Sequence, residues 1–157
     1  MDIIIVIKKE RIMKWVTREK AKVDRIACPW LIKRFIDPDA EFLFVPRDKV
    51  LEVAKKENAI PFDYLGVELG HHDGKCSFET IVEKYNITDP AVKCMAQIVH
   101  GADVKEDLYK ISESAGLRAI AHGFKYLVDD DHKKMKLEFP MYDALYEYCK
   151  AKLEGKE

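Results

Sequence analysis

Hydrophobic and polar positions follow two different periods, and the change between them divides the chain into two halves. In the first half, runs rich in β-branched and aromatic residues predict strands over residues 3–7, 12–17, 41–45 and 59–64. Apolar positions that share one helical face predict helices over residues 29–36 and 48–56. Strands and helices therefore alternate in this half, which is typical of a small sheet with a helix packed on it.

From Ser77 onward the strand pattern is replaced by helical spacing. Ser77 is a predicted N-cap, because an apolar stripe with helical spacing begins at the next residue. Asp89 and Pro90 predict the start of a second helix that extends to Gly101. Two more helices are predicted over residues 116–128 and 139–153. The expected fold class is α+β, with a small N-terminal sheet and a mainly helical C-terminal half, in one domain over residues 1–157.

Composition is that of an ordinary globular protein, with 48% apolar and 35% charged residues in 157. The five-residue apolar run near the start is too short for a membrane span or a signal peptide. Four unevenly spaced cysteines do not form a disulfide framework, so we expect a cytoplasmic protein with reduced thiols. No phosphate-binding glycine loop or serine-hydrolase elbow occurs, which argues against nucleotide chemistry and serine hydrolysis.

Charge is balanced overall but not along the chain. The 27 basic and 28 acidic residues give a net charge of −1, which disfavours nucleic-acid binding by overall attraction. Residues 1–38 nevertheless contain ten Lys and Arg against five acidic residues, so the remainder carries about six net negative charges. The basic N-terminal region suits the binding of a small oxyanion. Lysines on edge strands also discourage aggregation, which explains the same charge pattern equally well.

Cys28 is the first candidate for chemistry. Pro29 follows it and suits the first position of a helix, which would make Cys28 the N-cap. The partial positive charge of a helix N-terminus, with Arg25 and Lys33 near in sequence, would favour the reactive thiolate. The alternative is a buried, inert cysteine.

The loop at residues 70–76 is the second candidate, because two glycines bracket imidazole, carboxylate and thiol groups. His71 and Cys76 are the preferred ligands for a divalent ion such as Zn²⁺, although no standard zinc spacing is present. Exposed histidines on a turn are the plainer interpretation.

Aspartates after the fourth predicted helix and between the fifth and sixth supply further candidate ligands. Asp131 and His132 end an Asp-rich run, and Asp103 stands alone after a glycine; such donors suit Mn²⁺, Fe²⁺ or Zn²⁺. The competing interpretation is an interhelical turn whose acidic residues cap the next helix.

Several of these strings together resemble one family. The resemblance covers about residues 14–149 and is carried by DRIACPWLIKRF at 24–35, IDPDAEF at 36–42, CSF at 76–78, GAD at 101–103, DDH at 130–132 and YDALY at 142–146. These strings are similar to the C-terminal domain of chromate-resistance proteins of the ChrB type. The resemblance implies a role in chromate or metal stress and links the full-length family members to control of an efflux transporter. It also implies that DNA binding needs an additional N-terminal region that has no counterpart in this sequence, so we expect no direct DNA binding by this chain. It supplies no catalytic residue.

Two functions are consistent with these residues. The first is a metal- or oxyanion-binding sensing module, in which a metal or a small oxyanion is the partner and a homodimer is left open. Its candidate site residues are Cys28, His71 and Cys76 with Asp24 or Asp103, beside Arg25 and Arg34, whose guanidinium groups suit a tetrahedral oxyanion. The second is an oxidoreductase, of chromate-reductase or sulfur-transfer type, that uses the Cys28 thiolate or a metal. A regulator acting with another polypeptide is a third alternative.

Overall fold

The computed structural model describes residues 12–156, and the predicted strand at 3–7 lies outside them. Three strands, six α-helices and one 3-10 turn follow in the order β1 (Lys14–Arg18), α1 (Asp24–Phe35), β2 (Glu41–Val45), the 3-10 turn (Arg47–Lys49), α2 (Val50–Lys56), β3 (Ile60–Pro61), α3 (Ser77–Lys84), α4 (Pro90–Asp103), α5 (Glu113–Leu127) and α6 (Asp131–Leu153). The α+β prediction is confirmed.

The three strands form a parallel sheet in the order β2-β1-β3. Val16 in the central strand is paired with Leu43 of β2 and with Pro61 of β3. Pro61 has no N–H to donate, but Phe62 N continues the ladder by donating to Val16 O at 3.0 Å. The carboxyl ends of β1 and β3 therefore lie at the same edge of the sheet.

Helices α1, α3, α4 and α6 pack together over the main core, and α4 contacts each of the other three. The largest fully buried side chains in this region are Trp15, Trp30, Tyr142, Phe62 and Phe78. Burial of each such ring removes roughly 150 to 250 Å² from water. This packing brings the N-termini of α1 and α3 close to the C-terminus of α4.

Helix α1 begins five residues earlier than its sequence pattern predicts. Ala27 N donates to Val23 O at 2.9 Å, so the first turn closes before Pro29, and Val23, not Cys28, is the N-cap. The prediction that Cys28 caps this helix is wrong. An interior proline loses one backbone hydrogen bond, but eight of the twelve residues of α1 are buried, which offsets the loss.

Two other helix starts also differ from prediction. Cys76, not Ser77, is the N-cap of α3, and Glu79 completes a capping box with it. Helix α6 begins at Asp131 and continues through Pro140, so the Asp-rich run lies at its first turn, where Asp130 is the N-cap. Within residues 12–156, no helix combines the length and apolar character needed to cross a membrane.

Candidate metal centre

One imidazole nitrogen faces three carboxylates in the described structure. His71 Nε2 lies 3.1 Å from Asp103 Oδ2, 3.2 Å from Asp63 Oδ1 and 3.5 Å from Asp24 Oδ2. One ligand atom from each of these four residues lies within 4.8 Å of all the others. We refer to Asp24, Asp63, His71 and Asp103 as the His71 cluster.

Four different segments supply the His71 cluster. Asp24 is the first residue of α1, Asp103 is the last residue of α4, Asp63 follows β3, and His71 lies in the loop before α3. Asp63 has a φ of 46°, a left-handed conformation that aspartate tolerates better than most residues. The cluster therefore depends on tertiary packing and cannot form within any one segment.

Helix α3 holds two of the carboxylates in place. Ser77 N donates to Asp24 Oδ2, and Ser77 Oγ donates to Asp63 Oδ1, both at 2.7 Å. Asp24 N also lies 3.4 Å from Asp103 Oδ1. Two backbone N–H groups and one serine hydroxyl therefore orient the three carboxylates of the cluster.

The burial of the His71 cluster is uneven. Asp24 is 1% exposed, and its Oδ1 atom has no hydrogen-bond partner among the described residues. The His71 side chain is 47% exposed, so it forms the open side of the cluster. A buried carboxylate oxygen without a partner is costly, and a cation supplied from solvent would satisfy it.

Proximity of the three carboxylates changes the ionisation of the cluster. Hydrogen bonding to Asp103, then to Asp24 and Asp63, raises the pKa of His71 to about 12. Burial, with the nearby charge of Asp103, raises the pKa of Asp24 well above its usual value. Burial opposes ionisation of Asp63 as well, but hydrogen bonds from His71 and Ser77 lower its pKa.

Two arginines border the His71 cluster. Arg18 and Arg25 line a cavity of about 270 Å³ together with Asp24, Asp63, His71 and Asp103. An adjoining cavity of about 430 Å³ shares Arg18, Asp63 and His71 and adds Arg47. Arg25 Nη2 donates to Lys20 O at 3.0 Å, and burial lowers the pKa of Arg25. Arg25, which was predicted to bind an anion, therefore lies beside a cavity.

A second group of ligand types surrounds Glu79, and we refer to Cys76, Glu79 and His100 as the Glu79 cluster. Glu79 Oε1 accepts from Cys76 N at 3.0 Å and from His100 Nδ1, and Oε2 accepts from Tyr109 Oη at 2.7 Å. His100 Nε2 lies 3.2 Å from Leu108 N and 3.3 Å from Glu106 O, so both ring nitrogens have polar partners. Burial opposes the ionisation of Glu79, but these hydrogen bonds lower its pKa. Every polar atom of the Glu79 and His100 side chains is therefore already satisfied.

Cys28 is fully buried one turn after Asp24, and burial, with the nearby carboxylates, raises its pKa well above the usual value. The thiol form is thus stabilised, which is the opposite of the predicted thiolate. Burial also raises the pKa of Cys76, which lies in the Glu79 cluster and not with His71. Neither predicted cysteine belongs to the His71 cluster.

Arg34 lies at the other end of α1, roughly 15 Å from Asp24 at 1.5 Å per residue. Its Nε and Nη2 atoms bind Asp143 in bidentate fashion at 3.0 Å each, and Trp30 Nε1 donates to the same carboxylate at 2.7 Å. The structure therefore pairs Arg34 with Asp143 and does not bring it to the cavity that Arg25 lines beside the His71 cluster.

Asp131 and His132 belong to neither cluster. Asp131 accepts hydrogen bonds from Lys20 N at 2.8 Å and Ala21 N at 2.7 Å, so its carboxylate ties α6 to the loop before α1. His132 is exposed and stands edge-on to the Phe44 ring. Asp130, which accepts from His132 N as the N-cap of α6, fits the helix-capping interpretation of the Asp-rich run, whereas Asp131 binds the backbone of another segment.

Sequence reasoning missed Asp63 and the Glu79–His100 pair. Asp63 lies near the carboxyl end of the strand predicted at residues 59–64, and residues at the carboxyl ends of parallel strands commonly form sites. The position of Asp63 near the end of a predicted strand could therefore have indicated it as a site residue. No local spacing links Glu79 to His100, which are on α3 and α4.

Comparison with known proteins identifies the family. The chain is 31% identical over 136 residues to a protein of Cupriavidus metallidurans named Protein ChrB, and the match covers 85% of this chain. The chain spans about two fifths of the length of that relative, since 40% of it is covered. No solved structure matches the chain. The family model described as ChrB, C-terminal domain, matches residues 15–149, and the chain belongs to this family.

Proposed function

We propose that this domain binds a divalent transition-metal ion through Asp24, Asp63, His71 and Asp103. The observation that carries the proposal is the approach of three carboxylate oxygens to one imidazole nitrogen, all within 3.5 Å. The unpartnered, buried Asp24 Oδ1 atom supports it independently. A bound cation would satisfy all four donors at once.

The plainer interpretation is that a protonated His71 neutralises the carboxylates. A ring nitrogen carries one N–H, which can donate a good hydrogen bond to one acceptor and not to three. The interpretation also leaves Asp24 Oδ1 without a partner. A metal ion accepts several ligands from different directions, so it accounts for the convergence that a single proton does not.

The donor set narrows the choice of metal. Three carboxylate oxygens and one imidazole nitrogen are harder ligands than thiolates, which favours Mn²⁺ or Fe²⁺ over a cysteine-based Zn²⁺ site. Cys76 is the N-cap of α3 and Cys28 is buried, so neither supplies a soft ligand to this proposal.

The family supplies the biological context of the proposal. We infer that the domain is a cytoplasmic ligand-sensing module of a chromate- or metal-stress protein, as the ChrB relationship suggests. A thiol-dependent enzyme is not proposed, because burial raises the pKa of Cys28. Direct DNA binding is not proposed for this domain, whose sequence carries a net charge of only −1.

Calorimetric titration of the purified chain with Mn²⁺ tests the proposal. We expect one ion per chain, and we expect His71→Ala and Asp63→Asn to weaken Mn²⁺ binding at least tenfold. Loss of an outer partner alone commonly costs metal sites about 10- to 100-fold in affinity, and these residues would be direct ligands.

His132→Ala and Asp73→Asn are the matched controls, because each changes an exposed residue of the same type outside the His71 cluster. Both variants should bind Mn²⁺ like the unmodified chain. Failure of Mn²⁺, Fe²⁺ and Zn²⁺ to bind stoichiometrically would contradict the proposal, as would equal losses in the cluster variants and the controls.

A further inference from the structure

Arg18 and Arg25 hold polar atoms that nothing in the described structure satisfies. The Nε atoms of both side chains are inaccessible to solvent and have no hydrogen-bond partner within residues 12–156. Arg25 is anchored through Nη2 to Lys20 O, so its guanidinium group is positioned although Nε is unpaired. Buried guanidinium N–H groups without acceptors are costly, so the protein itself does not fully satisfy these two side chains, and a ligand in the adjoining cavity could reach only their accessible nitrogens.

The two guanidinium groups also face the same space. Arg18 ends β1, Arg25 is in the first turn of α1, and both line the cavity of about 270 Å³ that contains the His71 cluster. They are close enough for the charge of Arg18 to disfavour the charge of Arg25. Like charges brought together beside a cavity are typical of sites for planar or tetrahedral oxyanions, which guanidinium groups bind in bidentate fashion.

Besides the two arginines, the proposed metal ion would be a third binding partner for an anion in this cavity. An ion with octahedral preference, such as Mn²⁺, would receive four ligands from the His71 cluster and would need two more. The cavity shared by the cluster and the arginines is where external ligands have access. An oxyanion there would contact the ion through one oxygen and the guanidinium groups through others.

We propose that Arg18 and Arg25 form an anion subsite beside the metal centre, where a small tetrahedral oxyanion bridges the two guanidinium groups and the bound ion. This inference rests on the proposed function, because the ion supplies part of the anion's coordination. It goes beyond that function by giving the domain a second ligand whose binding depends on the first. The arginines are binding residues of the subsite, and no reaction is assigned to them.

Titration with sodium sulfate, with and without Mn²⁺, tests this inference on the full chain. We expect sulfate to bind at least tenfold more tightly to the Mn²⁺-loaded protein than to the metal-free protein. Arg18→Gln and Arg25→Gln should each weaken sulfate binding at least tenfold in the Mn²⁺-loaded protein. Sodium chromate, another tetrahedral dianion, should compete with sulfate.

Arg34→Gln is the matched control, because Arg34 is on the same helix as Arg25 but is paired with Asp143. It should leave sulfate binding unchanged. Mn²⁺ affinity measured without sulfate separates the two proposals: neither Arg18→Gln nor Arg25→Gln should weaken it, since each removes a positive charge near a cation.

The outcomes are distinguishable. If Mn²⁺ binds but sulfate affinity is the same with and without it, the bridging subsite is overturned and the proposed function stands. If the arginine variants bind Mn²⁺ more tightly and sulfate as before, the arginines only balance the carboxylates, which also overturns the subsite. If Mn²⁺ does not bind, both proposals fail.

Discussion

The His71 cluster and the Glu79 cluster contain similar ligand types and lie on neighbouring segments, yet their hydrogen bonding differs. In the Glu79 cluster, the carboxylate accepts bonds from a backbone N–H, an imidazole and a phenol. In the His71 cluster, three carboxylates face one imidazole and a buried oxygen has no partner among the described residues. Close ligand atoms are therefore not enough to indicate a metal site; unsatisfied ones are the better indicator.

The two clusters also differ in their access to solvent. All members of the Glu79 cluster are buried, whereas the His71 side chain is about half exposed at 47%. The Glu79 cluster can therefore stabilise the packing of α3 on α4 without exchanging ligands. The His71 cluster has a route by which an ion from solvent can reach it.

The largest expected effect tests the structural role of the Glu79 cluster. Glu79→Ala should lower the free energy of unfolding by about 4 kcal/mol, because it leaves His100 and Tyr109 without their acceptor and removes the capping box of α3. Urea unfolding measures the loss, and Tyr109→Phe, which removes one hydrogen bond, should cost about 1 kcal/mol. If Mn²⁺ stabilised the unmodified chain but not the Glu79→Ala variant, the Glu79 cluster would itself be a metal site.

A buried carboxylate outside both clusters shows that one unsatisfied side chain does not by itself indicate a metal site. Glu138 on α6 is 0% exposed and both of its oxygens lack partners within the described part of the chain. Burial raises its pKa to about 8; the charge of Lys134, one turn earlier, opposes this shift and Asp131 adds to it. Lys134 Nζ is itself held 3.3 Å from Ala21 O. Burial therefore favours the neutral form of the Glu138 carboxyl group.

Glu138 therefore predicts a pH dependence of stability. The folded protein retains this proton up to about pH 8, while the unfolded chain releases it near 4.5, so stability falls as the pH rises through this range. Glu138→Gln should match the unmodified chain at the acidic end and then exceed its stability by about 1.4 kcal/mol more for each unit that the pH rises between 4.5 and 8. Urea unfolding across this range measures the difference. A difference that does not change with pH would show that Lys134 keeps Glu138 ionised.

The smallest expected effect concerns Asp24, whose substitution should stabilise the metal-free chain but reduce the stabilisation that Mn²⁺ provides. Asp24→Asn keeps an oxygen for Ser77 N but removes a buried charge beside Asp63 and Asp103, so the metal-free chain should gain about 1 kcal/mol. Mn²⁺ at 100 times its dissociation constant should stabilise the unmodified chain by about 2.7 kcal/mol and the variant much less. Thermal unfolding with and without Mn²⁺ measures both. A metal-free loss of stability would show that the ionised carboxylate is needed for folding itself.

Much of the fold followed from local pattern, while helix boundaries did not. The cap at Asp89 with Pro90 was predicted correctly, because Asp89 accepts from Ala91 N at 2.8 Å within the helix start itself. The start of α1 was predicted incorrectly, because the burial of Ile26 and Ala27 against the rest of the core extends the helix ahead of Pro29. Local propensity cannot include the energy of packing against distant segments.

The sequence by itself determined the family, the α+β class and the presence of candidate donors, including Asp24, His71 and Asp103, because these depend on residue types and short spacings. Only the tertiary structure decided which donors converge. It joined Asp63 to His71, buried Cys28, and paired Arg34 with Asp143. The physical reason is that the four residues of the His71 cluster lie on segments separated by up to 79 positions, and only packing of α1, α3 and α4 brings them within hydrogen-bonding distance.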